Sequence, residues 1–576
     1  MMKLIRFLKA YRLPTAIVLA LVFIQTLSEL YLPTLMADIV DTGIVTGDVN
    51  YIWKMGGWML LIAGGGMLCA IGASYWSSKV AVGFGKDLRA QVFRHVENFS
   101  LQEFDKVGTS SLITRTTNDI NQVQQVLVMI LRVMVMAPIM CIGGLIMAVS
   151  KDGPLTMVLA VGLPVLALVI FFIARKGIPL FKAMQVKLDK LNLVVREGLT
   201  GIRVVRAFNR VEHEQKRFEE ASRDLTDTGI KVNRIMALLM PVMMLVMNVT
   251  TIAIIAFGSI RIESGSMQVG DLMAFIQYAM QIMFSLVMLS LVFVLIPRAS
   301  ASAARINEVL DMKPELKDAD QPKKASDPQK GYLEFDQVTF RYPGAEEAAL
   351  SNISFTARPG EITAIIGGTG SGKSTMLNLI PRFYDVSEGS IRLGGVDVRE
   401  WEQGELRRKI GIVPQKAVLF SGTVAENIRY GKDDASNEEM RHAAAVAQAA
   451  DFIEAMNDGY DTMVSQGGTN LSGGQKQRLS IARALVRRPD VYLFDDSFSA
   501  LDFKTDAMLR ATLKQETKEA TLIIIAQRVS TVMDADQIIV LNDGEIASVG
   551  THQELLKSSD VYQEIVASQL TEEEIA

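Results

Sequence analysis

The chain has 576 residues, of which 49% are hydrophobic, and its mean hydropathy of +0.24 is too high for an ordinary soluble protein of this size. Its formal net charge is only −4, which argues against a nucleic-acid partner. Its two cysteines and four scattered histidines exclude a disulfide framework and a clustered metal site. This length and composition predict two or three domains, at least one of them in a membrane.

The first part of the chain contains six apolar segments, each long enough to cross a bilayer as a helix. The segments are Thr15–Met36, Met55–Trp76, Val128–Ser150, Leu155–Ala174, Met236–Ile260 and Leu272–Ile296. Lys and Arg are concentrated in the long connectors after the second and fourth segments, which predicts that these connectors are cytoplasmic. Helical periodicity continues into both connectors, so we expect projecting helices rather than separate cytoplasmic hairpins. We assign residues 1–310 to a transmembrane domain.

Methionines and charged residues within the spans leave two interpretations open. One face of the sixth segment carries large flexible side chains beside two glutamines: Met280, Met283, Phe284, Val287, Met288, Gln277 and Gln281. This face fits a cavity for varied apolar compounds, and it equally fits ordinary helix packing. Glu29 and Arg132 lie in or near spans, where a charge either faces a cavity or a partner, or reaches the interface.

The second part of the chain has the composition of a soluble α/β domain, which we assign to residues 332–568. Residues 311–331 are rich in Lys, Asp and Pro and predict a linker, and residues 569–576 form a tail. A predicted strand runs into a glycine-rich loop and then a helix, which is the pattern of a phosphate-binding loop. The loop residues predicted to bind ATP are Gly367, Gly368, Thr369, Gly370, Ser371, Gly372, Lys373, Ser374 and Thr375.

Two residues of this pattern predict a Mg²⁺ site. Ser374 supplies a hydroxyl next to the phosphates, as in other phosphate-binding loops. Asp495 follows four apolar residues, Val491–Phe494, and an aspartate at such a strand end can hold Mg²⁺.

Between these two motifs stands Leu471-Ser472-Gly473-Gly474-Gln475. With the phosphate loop and the strand that ends in Asp495, it resembles the ATP-binding cassette (ABC) family. The order of a six-span domain followed by a cassette resembles the exporter half-transporters of that family. The implied fold is a membrane all-α six-helix transmembrane domain of the type IV exporter kind, followed by an α/β P-loop nucleotide-binding domain.

The resemblance implies roles for further residues. Tyr342 matches the aromatic residue that stacks on adenine, and Gln415 matches the glutamine that touches Mg²⁺ and senses the membrane domain. Ser472, Gly473, Gly474 and Gln475 match the signature that clamps ATP bound by the opposite subunit. Asp502 ends a loop that crosses the dimer interface. Short helices near Gln102–Asp105 and near Arg206–Asn209 are expected to dock on the cassettes, one of them on the partner's.

Two positions depart from the family pattern. Asp496 stands where the family has a glutamate that activates water, and its carboxylate is withdrawn by about 1.5 Å. A base must approach its proton to within about 3 Å, so this difference matters. Gln527 replaces a histidine that contacts the γ-phosphate, and loss of one such donor typically costs about 10²–10³ in rate. In the alternative interpretation, Asp496 serves as a workable base in a homodimer.

These departures predict a chain that binds ATP firmly but hydrolyses it slowly at its own site. We expect a second, homologous half-transporter as partner, whose catalytic site this chain's signature completes. The resemblance implies a bacterial plasma-membrane exporter, in contact with membrane lipid, that removes small apolar or amphiphilic compounds. The alternatives are an exporter or flippase of lipid, peptide or metabolite, and an ATP-gated regulatory membrane protein.

Overall fold

The computed structural model describes residues 2–319, 321–323 and 330–569. The chain divides into two units, one of Met1–Glu97 with Thr109–Met312 and one of Asn98–Gly108 with Lys313–Ala576. Residues 320 and 324–329 of the predicted linker and residues 570–576 of the predicted tail lie outside the described residues. The domain boundaries drawn from the sequence therefore stay predictions.

Most of the described chain from residue 12 to residue 311 lies in nine α-helices and in two π-helical segments, Ile39–Ile44 and Arg115–Asp119. The α-helices are α1 Arg12–Asp38, α2 Val49–Glu97, α3 Leu101–Val107, α4 Thr109–Thr114, α5 Ile120–Lys151, α6 Thr156–Thr200, α7 Ile202–Ala207, α8 Val211–Glu263 and α9 Val269–Asp311. In the part of the chain that the structure describes, six helical segments are long and apolar enough to cross a membrane. The prediction of six spans is confirmed.

The helices continue well beyond the predicted spans. The second apolar segment was predicted to end at Trp76, yet α2 runs on to Glu97, about 30 Å further. The fourth segment continues in α6 to Thr200, and α8 begins at Val211, long before its apolar part. The helices therefore extend past the apolar segments, and their projection into the cytoplasm stays a prediction.

The methionine-rich face of α9 divides between core and surface. Met283 is only 1% exposed and packs in the core with Tyr278 and Ile282, so it does not belong to an open face. Met280 and Phe284 are 42% and 54% exposed. Ordinary helix packing is therefore correct for Met283, and the cavity interpretation of the exposed side chains stays a prediction.

The two intramembrane charges contact neighbouring polar side chains. Glu29 accepts a hydrogen bond from Gln25, and Arg132 of α5 donates one to Ser74 of α2. Both side chains thus have polar partners on helices of the same unit.

The second unit is built on a parallel sheet. The strands of the chain are β1 Leu333–Phe340, β2 Leu350–Ala357, β3 Ile362–Gly367, β4 Glu388–Leu393, β5 Val396–Asp397, β6 Ile410–Val413, β7 Gly422–Thr423, β8 Met463–Val464, β9 Val491–Asp495, β10 Thr521–Ile525, β11 Gln537–Asn542 and β12 Glu545–Gly550. The main sheet has the order β12-β11-β3-β10-β9-β6, parallel except for β12. Every residue of β10 is buried, as expected for a strand covered on both faces.

The described part of this unit also contains a second sheet, a two-stranded sheet, α3 and ten further α-helices. The antiparallel sheet has the order β2-β1-β4-β5, and β7 pairs with β8. The helices are α10 Lys373–Leu379, α11 Gln403–Arg408, α12 Val424–Arg429, α13 Asn437–Val446, α14 Ala450–Glu454, α15 Gly473–Leu485, α16 Phe503–Glu516, α17 Val529–Val532, α18 His552–Ser558 and α19 Asp560–Ala567. With the six membrane helices, this α/β domain confirms the predicted fold class.

Candidate nucleotide-binding site

Sheet topology brings the predicted nucleotide-binding residues to one edge. Ile525 of β10 pairs with Ile365 of β3 on one side and with Asp495 of β9 on the other. Val413 of β6 pairs with Phe494 of β9. Because parallel strands end at the same edge, the residues after each of these four strands meet there.

The phosphate loop follows β3 directly. Gly370 and Gly372 adopt positive φ values of 86° and 95°, which suit glycine. A side chain at Gly372 would also place its Cβ only 2.7 Å from the carbonyl oxygen of Ala349. The ε-ammonium of Lys373 donates hydrogen bonds to the carbonyl oxygens of Gly367 (2.8 Å) and Gly368 (2.6 Å). The lysine charge is thereby held within the loop.

Burial shapes the ionisation of the two charged groups in this loop region. Desolvation lowers the pKa of Lys373, against the opposing effect of the nearby Asp496 and Asp495 carboxylates. Desolvation also raises the pKa of Asp495, and the charge of Asp496 adds to that rise. A polyanion bound here would contact a lysine side chain that burial shields from much of the solvent.

The predicted Mg²⁺ ligands lie together. The Ser374 hydroxyl donates a hydrogen bond to Asp495 Oδ1 at 3.2 Å, and the Gln415 side chain lines the same cavity. Hydroxyl, carboxylate and amide oxygens fit Mg²⁺, which commonly takes only one or two protein ligands beside substrate phosphates. Among the described residues no group of three or more His, Cys, Asp or Glu could hold a metal.

A cavity of about 400 Å³ joins these residues. Its lining consists of Tyr342, Ala349, Thr369, Gly370, Ser371, Gly372, Lys373, Ser374, Thr375, Gln415, Asp495, Asp496, Ile525 and Gln527. The structure thus brings together phosphate-binding residues, the predicted Mg²⁺ ligands, and the two residues that depart from the family pattern, Asp496 and Gln527.

Asp496 is held in an unusual backbone conformation. Its φ is +44°, in the left-handed region that short polar residues tolerate best. Its N–H donates to the carbonyl oxygen of Ile525 at 2.9 Å, and its carboxylate accepts a 3.3 Å hydrogen bond from the Gln415 amide. The side chain is 9% exposed, so a short carboxylate is fixed at the cavity wall.

Tyr342 belongs to an aromatic cluster. Its ring meets those of Phe340 and Tyr384 edge-on, at centroid distances of 4.9 Å and 5.5 Å. Its hydroxyl lies 3.1 Å from the Thr375 hydroxyl at the start of α10. The cluster fixes the Tyr342 ring beside the phosphate loop, where adenine is expected to stack.

The sequence analysis missed Tyr384. Its hydroxyl donates a hydrogen bond to Asp105 of α3 at 3.4 Å, within the same unit. Glu103 of α3 also accepts a hydrogen bond from the backbone N–H of Glu315. The predicted docking segment Gln102–Asp105 therefore contacts this chain's own nucleotide-binding unit. No motif marks Tyr384, so only its position after α10 could have drawn attention to it.

Two of the signature residues cap the start of a helix. Ser472 and Gln475 exchange hydrogen bonds in a capping box at the start of α15. Asp502 caps α16, and its carboxylate accepts hydrogen bonds from the backbone N–H and the hydroxyl of Thr505. In the part of the chain that the structure describes, these residues, Gly473 and Gly474 lie outside the lining of the phosphate-loop cavity.

Comparison with known proteins agrees with this arrangement. Residues 15–286 match the ABC transporter transmembrane region and residues 350–499 match the ABC transporter domain. The chain is 45% identical over 565 residues to the ABC transporter ATP-binding protein Rv1273c of Mycobacterium tuberculosis, covering 98% of this chain and 97% of that one. It is 42% identical over 577 residues to the ABC transporter ATP-binding protein YfiB of Bacillus subtilis, covering 100% and 99%.

Two further relatives bear on function and fold. An ATP-dependent lipid A-core flippase of Pseudomonas aeruginosa is 34% identical over 527 residues, covering 91% of this chain and 87% of that one. The structure of a bacterial Atm1-family ABC exporter with ATP bound superposes with a TM-score of 0.81 at 28% identity, covering 97% and 99%.

The six-helix membrane unit, the cassette and these matches define an ATP-hydrolysing membrane translocase. The chain belongs to the ABC transporters, as an exporter half-transporter that carries one transmembrane region and one ATP-binding domain. It is a multi-pass membrane protein.

Proposed function

We propose that this chain is the degenerate-site subunit of a heterodimeric exporter that removes small apolar or amphiphilic compounds. The observation that carries the proposal is the position of Asp496 and Gln527, which line the same cavity as the phosphate loop. Both residues are less suited to hydrolysis than the Glu and His of the family pattern. ATP is bound here by Lys373 and the loop, with Tyr342 against adenine.

Ser374, Asp495 and Gln415 would hold Mg²⁺, which would neutralise phosphate charge. The Asp496 carboxylate is shorter by one methylene and is already engaged by the Gln415 amide. It is therefore poorly placed to reach an attacking water. Gln527 offers a neutral donor and no cation.

The signature of this chain acts on the partner's ATP. Its residues form a well-capped helix start and lie outside this chain's own phosphate-loop cavity. A chain that combines a sound signature with a slow site of its own makes sense if the partner carries the intact Glu and His. ATP retained at the slow site favours the closed state only by its higher affinity for that state.

A second candidate function is the movement of lipid. It is favoured by the Pseudomonas aeruginosa relative, whose name is ATP-dependent lipid A-core flippase. Assays of the purified pair with an amphiphilic dye and with a labelled phospholipid separate the two functions.

The proposal is tested by purifying this chain alone and together with the half-transporter encoded beside it. We expect the pair to form a stable 1:1 complex, measured by light scattering. We expect its ATPase rate to exceed that of the chain alone by at least about tenfold, since one transition-state donor is worth about 10²–10³. A fast ATPase from this chain alone as a homodimer overturns the heterodimer proposal.

A further inference from the structure

Three polar side chains of the membrane unit meet at membrane depth. Gln25 Nε2 donates a hydrogen bond to Glu29 Oε1 at 3.0 Å within α1. Gln281 Nε2 of α9 donates to the backbone carbonyl oxygen of Glu29 at 3.3 Å. Glu29 lies about 25 Å along the helix from Arg12 and about 14 Å from Asp38. It is therefore within the roughly 30 Å apolar layer of a bilayer.

This cluster has unused acceptors. A carboxylate can accept about four hydrogen bonds, whereas Glu29 receives one at its side chain. No ion pair with Glu29 occurs among the residues that the structure describes. The Gln281 Oε1 atom is buried and has no hydrogen-bond partner among them. Two acceptors and a negative charge thus lie together, with no cationic side chain paired to them among the described residues.

The cluster borders an open face of α9. Gln277, Met280, Phe284 and Met288 are exposed, and Gln281 follows at the edge of that face next to α1. Polar side chains at membrane depth almost always face the bundle interior or a water-filled cavity rather than lipid. Methionine adapts its shape to varied apolar surfaces. The exposed face of α9 is therefore an apolar surface next to the Glu29 carboxylate.

We propose that Glu29, Gln25 and Gln281 bind the positively charged group of an amphiphilic organic cation, whose apolar part lies against Met280 and Phe284. The proposal rests on the exporter function proposed above and assigns a charge preference to it. Attraction to the carboxylate is strong here because the surroundings exclude most water. Neutral compounds of the same shape lose this attraction, and anions are repelled.

The test uses the purified pair in proteoliposomes with two probes of the same size. One probe carries a quaternary ammonium, and in the other a carbon atom replaces the nitrogen. The main variant is Glu29→Gln, which removes the charge and keeps the size. A matched control is Glu263→Gln, the same change at an exposed position at the end of α8.

We expect Glu29→Gln to lower transport of the cationic probe by about tenfold or more, since the probe loses its coulombic attraction to a full negative charge in surroundings of low dielectric constant. Transport of the neutral probe should stay within about twofold, and Glu263→Gln should change neither. Gln281→Leu removes the unpaired acceptor and should give a smaller loss, again confined to the cationic probe. It also serves if Glu29→Gln is not inserted stably.

Equal losses for both probes, or no loss for either, overturn the cation site while leaving the exporter proposal standing. If the wild-type pair hydrolyses ATP but moves neither probe, both proposals fail.

Discussion

The hydroxyl of Tyr384 donates a hydrogen bond to Asp105 of α3 at 3.4 Å, while the Tyr384 ring meets Tyr342 edge-on at 5.5 Å. Tyr342 is the residue expected to stack on adenine, and α3 is the connector helix expected to carry motion to the spans. Two neighbouring contacts therefore link the proposed adenine site to a docking helix. A change in either contact should alter the coupling between ATP binding and the membrane spans rather than the affinity of this chain for ATP.

The first prediction concerns this link. Tyr384→Phe keeps the ring and removes the hydroxyl, so ATP binding should remain within about twofold. Stimulation of the pair's ATPase by transported compounds should fall roughly threefold to tenfold, as expected for loss of a hydrogen bond worth about 1 kcal/mol. Burial raises the pKa of Tyr384 to about 12, so the phenol keeps its proton and the effect should be the same at pH 6.5 and at pH 9.

A matched control exists for this variant. Tyr460 lies in the same unit, and its buried hydroxyl has no hydrogen-bond partner among the described residues. Tyr460→Phe should leave stimulation unchanged. If the two variants behave alike, the Tyr384–Asp105 contact plays no part in coupling.

The second prediction concerns nucleotide binding by this chain. Lys373→Ala removes the charge held within the phosphate loop and should reduce photolabelling of this subunit by azido-ATP by at least about tenfold. Labelling of the partner subunit should persist. Lys504→Ala, at an exposed position in α16, provides the control and should bind normally. Normal labelling of the Lys373 variant would show that another site on this chain holds the nucleotide.

The third prediction distinguishes the proposed catalytic role of Ser472, in the signature, from its role as a helix cap. Ser472→Ala should lower the ATPase rate of the pair by about 10² or more if the signature completes the partner's catalytic site. Ser472 also caps α15, and loss of such a cap costs about 1 kcal/mol in stability.

Ser436 forms the same capping box at the start of α13 and supplies the control. Ser436→Ala should cost similar thermal stability yet leave the ATPase rate within about twofold. Similar ATPase rates for the two variants would mean that only the helix cap matters at Ser472.

Local patterns predicted most of this fold, because long apolar runs and the phosphate loop depend on neighbouring residues. The spans and the strand before Gly367 are of this kind. Burial on a helix depends on distant partners, so the sequence could not show that Met283 packs against Tyr278 while Phe284 stays exposed. The Tyr384–Asp105 contact joins residues 279 positions apart and has no local signal either. The positive φ of Asp496 likewise depends on the loop that follows β9.

The fourth prediction concerns the two departures from the family pattern. Asp496→Glu advances the carboxylate by about 1.5 Å, but residue 496 has a φ of +44°, where a longer side chain is less well tolerated. We therefore expect a small gain from Asp496→Glu alone and a larger one when it is combined with Gln527→His. The doubly restored site should hydrolyse ATP about tenfold faster or more, since it regains a transition-state donor.

The measurement needs a pair in which the partner's own catalytic site is disabled, so that the remaining ATPase comes from this chain's site. The control is Asp543→Glu, the same substitution at another aspartate with a positive φ, +46°. Because Asp543 is exposed, this variant measures only the cost of placing a glutamate in that backbone conformation. Because Asp543 lies outside the cavity lining in the described chain, its variant should change stability slightly and ATPase not at all. If the doubly restored site is no faster than the native one, Asp496 and Gln527 do not limit hydrolysis.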